Sequence, residues 1–221
     1  MLGSLFLLLD FLDKHLGIMW KAIKKNYGWV IVMVLAALPL MAVFGNLNVD
    51  LSSGLDISLK ETSANGGRST LDMLYHITGE FAIRWMVAVL TLTPFYILFG
   101  VTNLFVRQAM GIATAIWSIL HFIIFIVAEG FLETFTEANY IAGFGGVLIL
   151  IPLMFTSNRK SMRVMLSKWK VLHRLTYLAV GLSMLHIVLL DKTWIPYAVV
   201  LAIGFVLRVP AVRERLESRW R

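Results

Sequence analysis

Residues 110–128 read MGIATAIWSILHFIIFIVA, an uninterrupted apolar run with no charged side chain and a single histidine, His121. A helix of this length crosses the hydrocarbon core of a bilayer, which is about 30 Å thick. An ionisable side chain in such a segment is energetically costly and usually functional. The run therefore predicts a membrane-spanning helix that carries a functional histidine.

Similar runs recur along the chain, which has 221 residues, of which 59% are hydrophobic and only 15% charged. Because backbone groups cannot remain unpaired in lipid, each run should form a helix. The predicted spans cover about 28–44, 79–99, 110–128, 140–155, 172–190 and 194–209. The pattern predicts an all-α fold, a polytopic membrane helix bundle of about six transmembrane helices.

The segments around these spans are consistent with a single domain. Residues 1–27 hold a short apolar stretch followed by lysines, which indicates an N-terminal interfacial amphipathic segment rather than a cleaved secretory signal. The six-helix domain should occupy 28–209, and residues 210–221 should form a basic cytoplasmic tail. The polar segment 45–72 should be an irregular extramembrane loop, and the second span should end near Pro94.

The distribution of charge predicts the orientation of the bundle. With the N-terminus inside, most of the 20 Lys and Arg residues fall on the cytoplasmic side, and an acidic loop with Glu129, Glu133 and Glu137 falls outside. This is the positive-inside pattern, so both termini should be cytoplasmic. The net charge of +7 is then explained by topology, and we expect no nucleic-acid partner.

Composition also limits the chemistry. The chain has no cysteine, which excludes disulfides, iron–sulfur clusters and Cys-ligated zinc. No phosphate-binding loop, dinucleotide-binding glycine motif or Ser-His-Asp arrangement is visible. Any metal must therefore be held by histidine or carboxylate.

The histidines are the strongest candidates for a cofactor site. His15 lies in the N-terminal segment, where an interfacial role is expected. His121 and His186 should lie about 15 Å and 21 Å above the cytoplasmic edge of the membrane. At these similar depths they can face each other as axial ligands of heme iron. Two alternatives remain open, namely hydrogen bonds to neighbouring helices and a histidine-ligated zinc or copper site.

Two further histidines are candidate cofactor ligands at the edges of the membrane. His76 precedes the second span at its outer end, and His173 lies at the inner end of the fifth. His173 and His186 are separated by about 20 Å of helix and about 140° of rotation, so a common face would need a bend or bulge.

Two arginines are candidates for binding an anionic cofactor group. Arg107 could pair with heme propionates or a flavin phosphate, because guanidinium offers bidentate geometry, or it could be a snorkelling residue. Arg84 could bind a propionate of the outer heme or pair with Glu80, four residues earlier on the same helix.

A series of short motifs, in order, carries a family resemblance. The motifs are HITGEFAIRW (76–85), TLTP (91–94), RQAMG (107–111), LH (120–121), FTS (155–157) and WKVLHRLTY (169–177), followed by His186. With this series the chain resembles the ferric reductase-like transmembrane family. Within that family it is most similar to heme-binding membrane subunits of bacterial periplasmic methionine sulfoxide reductase systems.

The resemblance implies a six-helix heme b protein of the bacterial inner membrane. It implies that electrons come from a cytoplasmic flavin reductase or quinol and leave to a periplasmic oxidoreductase. By position, His121 and His186 would be the heme ligands and His173 would belong to a second, inner cofactor site, for a second heme or FMN. Related reductases carry a flavin and nicotinamide domain, for which the tail after span six is too short. We therefore expect a redox subunit rather than a complete enzyme.

A competing hypothesis is a structural or assembly subunit of a larger membrane complex. Such a subunit would keep the fold without the electron path, and its long outer loop would be a partner surface. The four histidines in or beside the spans argue against it, because they would be costly to keep without a function.

Overall fold

The computed structural model describes residues 27–50, 56–59, 69–101 and 103–218. Its helices are α1 (Tyr27–Ala37), α2 (Leu40–Gly45), α3 (Thr70–Phe99), α4 (Leu104–Glu129), α5 (Ala138–Thr156), α6 (Arg159–Met165), α7 (Ser167–Arg174), α8 (Thr176–Leu189), α9 (Ile195–Val206) and α10 (Pro210–Glu217). A 3-10 helix spans Leu132–Phe135, and strands β1 (Leu47–Asp50) and β2 (Asp56–Leu59) form an antiparallel hairpin.

The predicted helical membrane bundle is confirmed. Five segments of the described chain are long and apolar enough to cross a bilayer: Tyr27–Gly45, Thr70–Phe99, Leu104–Glu129, Ala138–Thr156 and Ser167–Leu189. Helices α9 and α10 would make a sixth span if counted together, although the chain bends by 75° between them. The predicted interfacial segment 1–27 lies outside the described residues except for Tyr27.

The described parts of the segment 45–72, which was predicted to be an irregular loop, have regular structure. It contains the β1–β2 hairpin, in which Leu47 pairs with Leu59, and its last three residues belong to α3. Helix α3 begins early because the Ser69 side chain accepts a hydrogen bond from the Asp72 amide at 3.0 Å, a standard N-cap. Polarity alone suggested a loop, but strand pairing and a capping serine give regular structure to the described residues.

Helix α3 ends at Phe99, the predicted end of the second span, and it continues through Pro94, near which the sequence had also suggested an end. Proline has no N–H, so it leaves the carbonyl of the residue four positions earlier without its helical partner. That carbonyl belongs to Leu90, and Arg208 Nη2 donates to it at 2.5 Å. A donor from a distant part of the same chain therefore replaces the missing helical hydrogen bond.

The first predicted span, 28–44, is interrupted at Leu38 and Pro39, between α1 and α2. The Trp117 indole, which is 1% exposed, donates to the carbonyl of Ala36 at 3.0 Å just before the break. This side chain of α4 therefore satisfies a backbone acceptor of α1.

Helix α4 lies at the centre of the bundle, where it packs against α1, α3 and α5. Helix α5 pairs closely with α8, and α9 lies against α3. A dry apolar layer from five helices occupies the interior and includes Met86, Ala115, Leu150, Val180 and Leu201. These contacts bring residues of α3, α4, α5 and α8 together in the interior.

A candidate cofactor site at two paired histidines

His121 of α4 and His186 of α8 meet in the interior of the bundle. Their ring centroids are 6.4 Å apart and their ring planes are inclined by 74°. Both side chains are partly buried. Helices α3 and α5 supply the groups that contact the two rings, and together these four helices build the site.

The hydrogen bonds of His121 determine which ring nitrogen carries the proton. Its Nδ1 lies 2.9 Å from the Thr78 hydroxyl oxygen. The Thr78 hydroxyl is fully buried and uses its own proton to bond the Leu74 carbonyl at 2.7 Å. Since a hydroxyl has one proton, its oxygen must accept from His121 Nδ1–H. The lone pair of neutral His121 is therefore on Nε2.

His186 has the same tautomer for a simpler reason. Its Nδ1 lies 2.7 Å from the main-chain carbonyl oxygen of Asn139, at the start of α5. A carbonyl only accepts, so Nδ1 carries the proton and Nε2 carries the lone pair. Both imidazoles thus donate from Nδ1, and in the neutral form each has Nε2 available as a ligand. Metal-bound histidines are commonly oriented by a hydrogen bond from the other ring nitrogen in this way.

Two glycines allow the rings to lie close to the neighbouring helices. A Cβ at Gly79 of α3 would lie 3.2 Å from His121 Cε1, and one at Gly143 of α5 would lie 3.0 Å from His186 Nδ1. These separations are tighter than ordinary carbon contacts, so alanine would push on each ring. His121 is therefore positioned by Thr78 and Gly79 of α3. His186 is positioned by the Asn139 carbonyl and Gly143 of α5.

The pair offers two ligands and no more. Within the described ranges, no group of three or more metal-ligating side chains comes together. A zinc site normally needs at least three protein ligands, so the pair alone does not make one. Two neighbouring imidazoles suit an ion whose other coordination positions are filled by something other than the protein.

His173 lies in a separate cluster at the other end of α5. Its Nε2 is 3.0 Å from the Thr156 hydroxyl oxygen, and its ring stacks on Trp169 with centroids 3.9 Å apart. Trp169 in turn donates to the Thr156 carbonyl at 2.8 Å. Nε2, the nitrogen left available in the other two histidines, is therefore engaged in His173. The helix that connects His173 to His186 is interrupted at Leu175, between α7 and α8.

The remaining predicted site residues do not contact the histidine pair. His76 is exposed on α3. Arg84 forms a 2.9 Å salt bridge with Glu80, the pairing that the sequence offered as one alternative, and Tyr197 of α9 donates to the same carboxylate at 2.6 Å. Arg107 lies near the N-terminal end of α4 and donates to the Thr93 hydroxyl at 3.2 Å.

Comparison with known families gives a match over residues 73–184, half of the chain, to the ferric reductase like transmembrane component. The chain belongs to this family. The matched region contains His121 and ends two residues before His186.

Curated relatives of this ferric reductase-like chain share a common name. A protein of Agrobacterium fabrum is 34% identical over 125 residues, which cover 53% of this chain and 58% of the relative. A protein of Brucella ovis is 27% identical over 172 residues, which cover 69% and 78% of the two chains. Both are named protein-methionine-sulfoxide reductase heme-binding subunit MsrQ. No solved structure matches significantly.

Sequence reasoning missed the residues that position the two histidines in this ferric reductase-like bundle. Thr78 and Gly79 stand within HITGEFAIRW, so a threonine–glycine pair beside a histidine was a usable signal. The Asn139 contact is made by the backbone, and no side-chain pattern indicates a backbone partner. Only the packing of α5 against α8 shows it.

Proposed function

We propose that this chain is a heme b-binding transmembrane electron-transfer subunit, with His121 and His186 as the axial ligands of the heme iron. The observation that carries the proposal is the pair of interior imidazoles, each bonded through Nδ1 and each with Nε2 available. The name of the MsrQ relatives supports the same cofactor.

The two imidazole rings would hold one heme together, because their centroids are only 6.4 Å apart. Heme leaves two axial positions for protein ligands, and the pair offers that number.

The chain's own residues would hold and tune the cofactor. Heme, when bound, supplies one-electron chemistry at iron. Thr78 and the Asn139 carbonyl keep both imidazoles in the ligating tautomer and make them stronger donors. The apolar layer beneath the pair, which includes Met86 and Leu150, excludes water from the inner side. These features favour a site that would transfer electrons over one that would bind a substrate.

We further propose that electrons enter from the cytoplasmic side, from a flavin reductase or quinol. They would leave to a periplasmic oxidoreductase of the methionine sulfoxide reductase type. Support comes from the name of the relatives and from the basic stretch 159–170, which the positive-inside rule assigns to the cytoplasm of a bacterial inner membrane. Both termini would then be cytoplasmic.

One heme is proposed rather than two. His173 already uses Nε2 to bond Thr156, and its ring stacks on Trp169 instead of facing another imidazole. An inner site for FMN near His173 and Arg107 is a separate proposal, supported by the basic character of this end. His76 and Arg84 are not included in the proposed heme site, since one is exposed and the other is paired with Glu80.

The test is the reduced-minus-oxidised absorption spectrum of the detergent-purified protein, with heme quantified as the pyridine hemochrome. We expect a low-spin b-type spectrum that is lost in His121→Ala and in His186→Ala. His76→Ala is the matched control, because it removes an exposed histidine of the same bundle, and it should keep the spectrum.

Protein that is free of heme when isolated from heme-replete cells would contradict the proposal. The structural or assembly subunit would then become the better reading. A spectrum retained in both His121→Ala and His186→Ala would instead mean that other residues bind the heme.

A further inference from the structure

We propose that the segment 131–137 is the docking surface for a soluble redox protein whose contact face has a rim of basic residues. The proposal rests on the proposed function, because this partner is the acceptor to which the chain would pass electrons. The segment connects the spans of α4 and α5, at the end of the bundle that the proposed orientation places in the periplasm.

The centre of this surface is apolar. Phe131, Leu132 and Phe135 are each about half exposed or more. The rings of Phe131 and Phe135 pack edge to face, with centroids 5.6 Å apart, so the exposed side chains form one patch. The segment follows the end of one span and precedes the next, so it lies at the membrane surface rather than among the acyl chains. An exposed apolar patch in such a position marks an interaction site.

The patch is attached to a packed aromatic cluster. The Phe144 ring of α5 makes edge-to-face contacts with Phe131 and Phe135, at centroid distances of 6.1 and 5.8 Å. It also stacks on Phe122 of α4 at 5.1 Å. Thr134, which lies between the two surface phenylalanines, is fully buried. The patch is therefore held against α4 and α5, and preorganisation of this kind lowers the entropic cost of binding a partner.

The aromatic cluster also joins the patch to the histidine pair. Phe122 directly follows His121 in α4. On the other side, the Asn139 carbonyl, which accepts from His186 Nδ1, lies only four residues after Phe135. Electron transfer between proteins requires a short separation between the two redox centres. A partner on this patch would be separated from the paired histidines by only a few packed side chains.

The rim of the patch is acidic. The connection carries Glu129, Glu133 and Glu137, all exposed, and no basic residue stands between them. Neither salt bridge of the described residues involves these three carboxylates. An apolar centre with a polar rim is the usual anatomy of a protein interface. The sign of the charge selects a partner with lysine or arginine around its contact face.

The alternative occupant of the patch is the membrane surface itself. Segments that insert their apolar side chains into an anionic bilayer surface carry Lys or Arg beside those side chains. The stretch 159–170, at the other end of α5, has that composition, whereas the segment 131–137 has only carboxylates. The charge around the patch therefore favours a protein over a lipid surface.

The test is binding of cytochrome c, a soluble redox protein with lysines around its contact face, to the full chain in nanodiscs of zwitterionic lipid. We expect binding at low ionic strength that weakens as salt is added, because exposed charges attract each other. Glu133→Lys should weaken binding by about threefold or more, and adding Glu137→Lys should bring the loss to about tenfold. Glu214→Lys reverses an exposed carboxylate of α10 and is the matched control that should bind normally.

Three outcomes would overturn the proposal. The first is equal binding by the Glu133→Lys, Glu137→Lys double variant and the unaltered chain. The second is equal binding of cytochrome c whose lysines are acetylated. The third is quenching, by brominated lipid in the nanodisc, of a fluorophore attached to Leu132→Cys, because the membrane would then cover the patch.

The binding measurement does not require heme, so this inference and the proposed function fail separately. Weaker binding in the lysine variants with an unchanged heme spectrum would support the docking surface. Unchanged binding in those variants, with heme present, would overturn the docking surface alone. Heme-free protein that still binds cytochrome c through Glu133 and Glu137 would contradict the proposed function and leave the surface supported.

Discussion

At the residue scale, Thr78 is the side chain through which the tautomer of His121 can be tested. Its hydroxyl oxygen is the acceptor that holds the proton on Nδ1, and it is fully buried. Valine has nearly the same shape as threonine but lacks the hydroxyl group. Thr78 therefore separates the contribution of the hydrogen bond from that of packing.

Thr78→Val should leave His121 Nδ1–H buried without an acceptor, at a cost of about 1–3 kcal/mol. Loss of the hydrogen-bond partner behind a metal-bound histidine lowers metal affinity by about 10- to 100-fold. We therefore expect lower heme content and a shifted midpoint potential, measured by hemochrome assay and redox titration. Thr78→Ser keeps the hydroxyl and should restore both. Equal heme affinity and potential in the valine variant would show that the hydroxyl does not position the ligand.

Gly143 offers a steric test of the other histidine. In Gly143→Ala the new Cβ would lie 3.0 Å from His186 Nδ1, so the ring must move and its bond to Asn139 must weaken. Overpacking of this kind costs about 1–3 kcal/mol. We expect loss or broadening of the low-spin heme spectrum. Gly111→Ala is the control, because a Cβ there meets nothing within 4 Å, and it should leave the spectrum unchanged.

At the element scale, the proline in α3 is stabilised by a residue from the other end of the chain. Pro94 would normally weaken the helix, yet α3 continues for another five residues because Arg208 bonds the freed Leu90 carbonyl. The bond ties the turn between α9 and α10 to the middle of α3. The bond therefore fixes the position of helices α9 and α10 relative to α3.

A double-mutant cycle tests this link. Arg208→Met should destabilise the protein by about 1.5–3 kcal/mol, the usual contribution of a hydrogen bond to a charged group. In a Pro94→Ala background the new N–H can bond the Leu90 carbonyl, so the same substitution should cost less. The measurement is unfolding in lipid-free detergent followed by circular dichroism, with exposed Arg163→Met as the control. Equal losses in both backgrounds would show that Arg208 does not act through this carbonyl.

At the scale of the whole molecule, the two ends of α5 should face opposite sides of the membrane. The chain has no cysteine, so single cysteines can be introduced without other changes. Leu132 and Val164, which flank α5, are 79% and 73% exposed. A membrane-impermeant maleimide should label Leu132→Cys in unlysed cells whose outer membrane has been permeabilised. It should label Val164→Cys only after the cells are lysed. The opposite pattern would invert the proposed direction of electron flow.

Most of the fold was predictable from the sequence because hydropathy is a local property. A helix in lipid satisfies its own backbone, so a long apolar run is enough to identify a span such as 110–128. The errors came where partners lie outside the local sequence. The continuation of α3 past Pro94 depends on Arg208, and the hairpin at Leu47–Asp50 depends on pairing with Asp56–Leu59.

The sequence by itself determined that the chain is a membrane helix bundle, and it indicated that His121 and His186 lie at similar depths. Depth follows from counting residues at a fixed rise along a helix. Only the tertiary structure decided which nitrogen each ring leaves available, that Arg84 pairs with Glu80, and that His173 stacks on Trp169. The physical reason is that rotation about each helix axis, and the partner across each interface, are set by side-chain packing between helices that are distant in sequence.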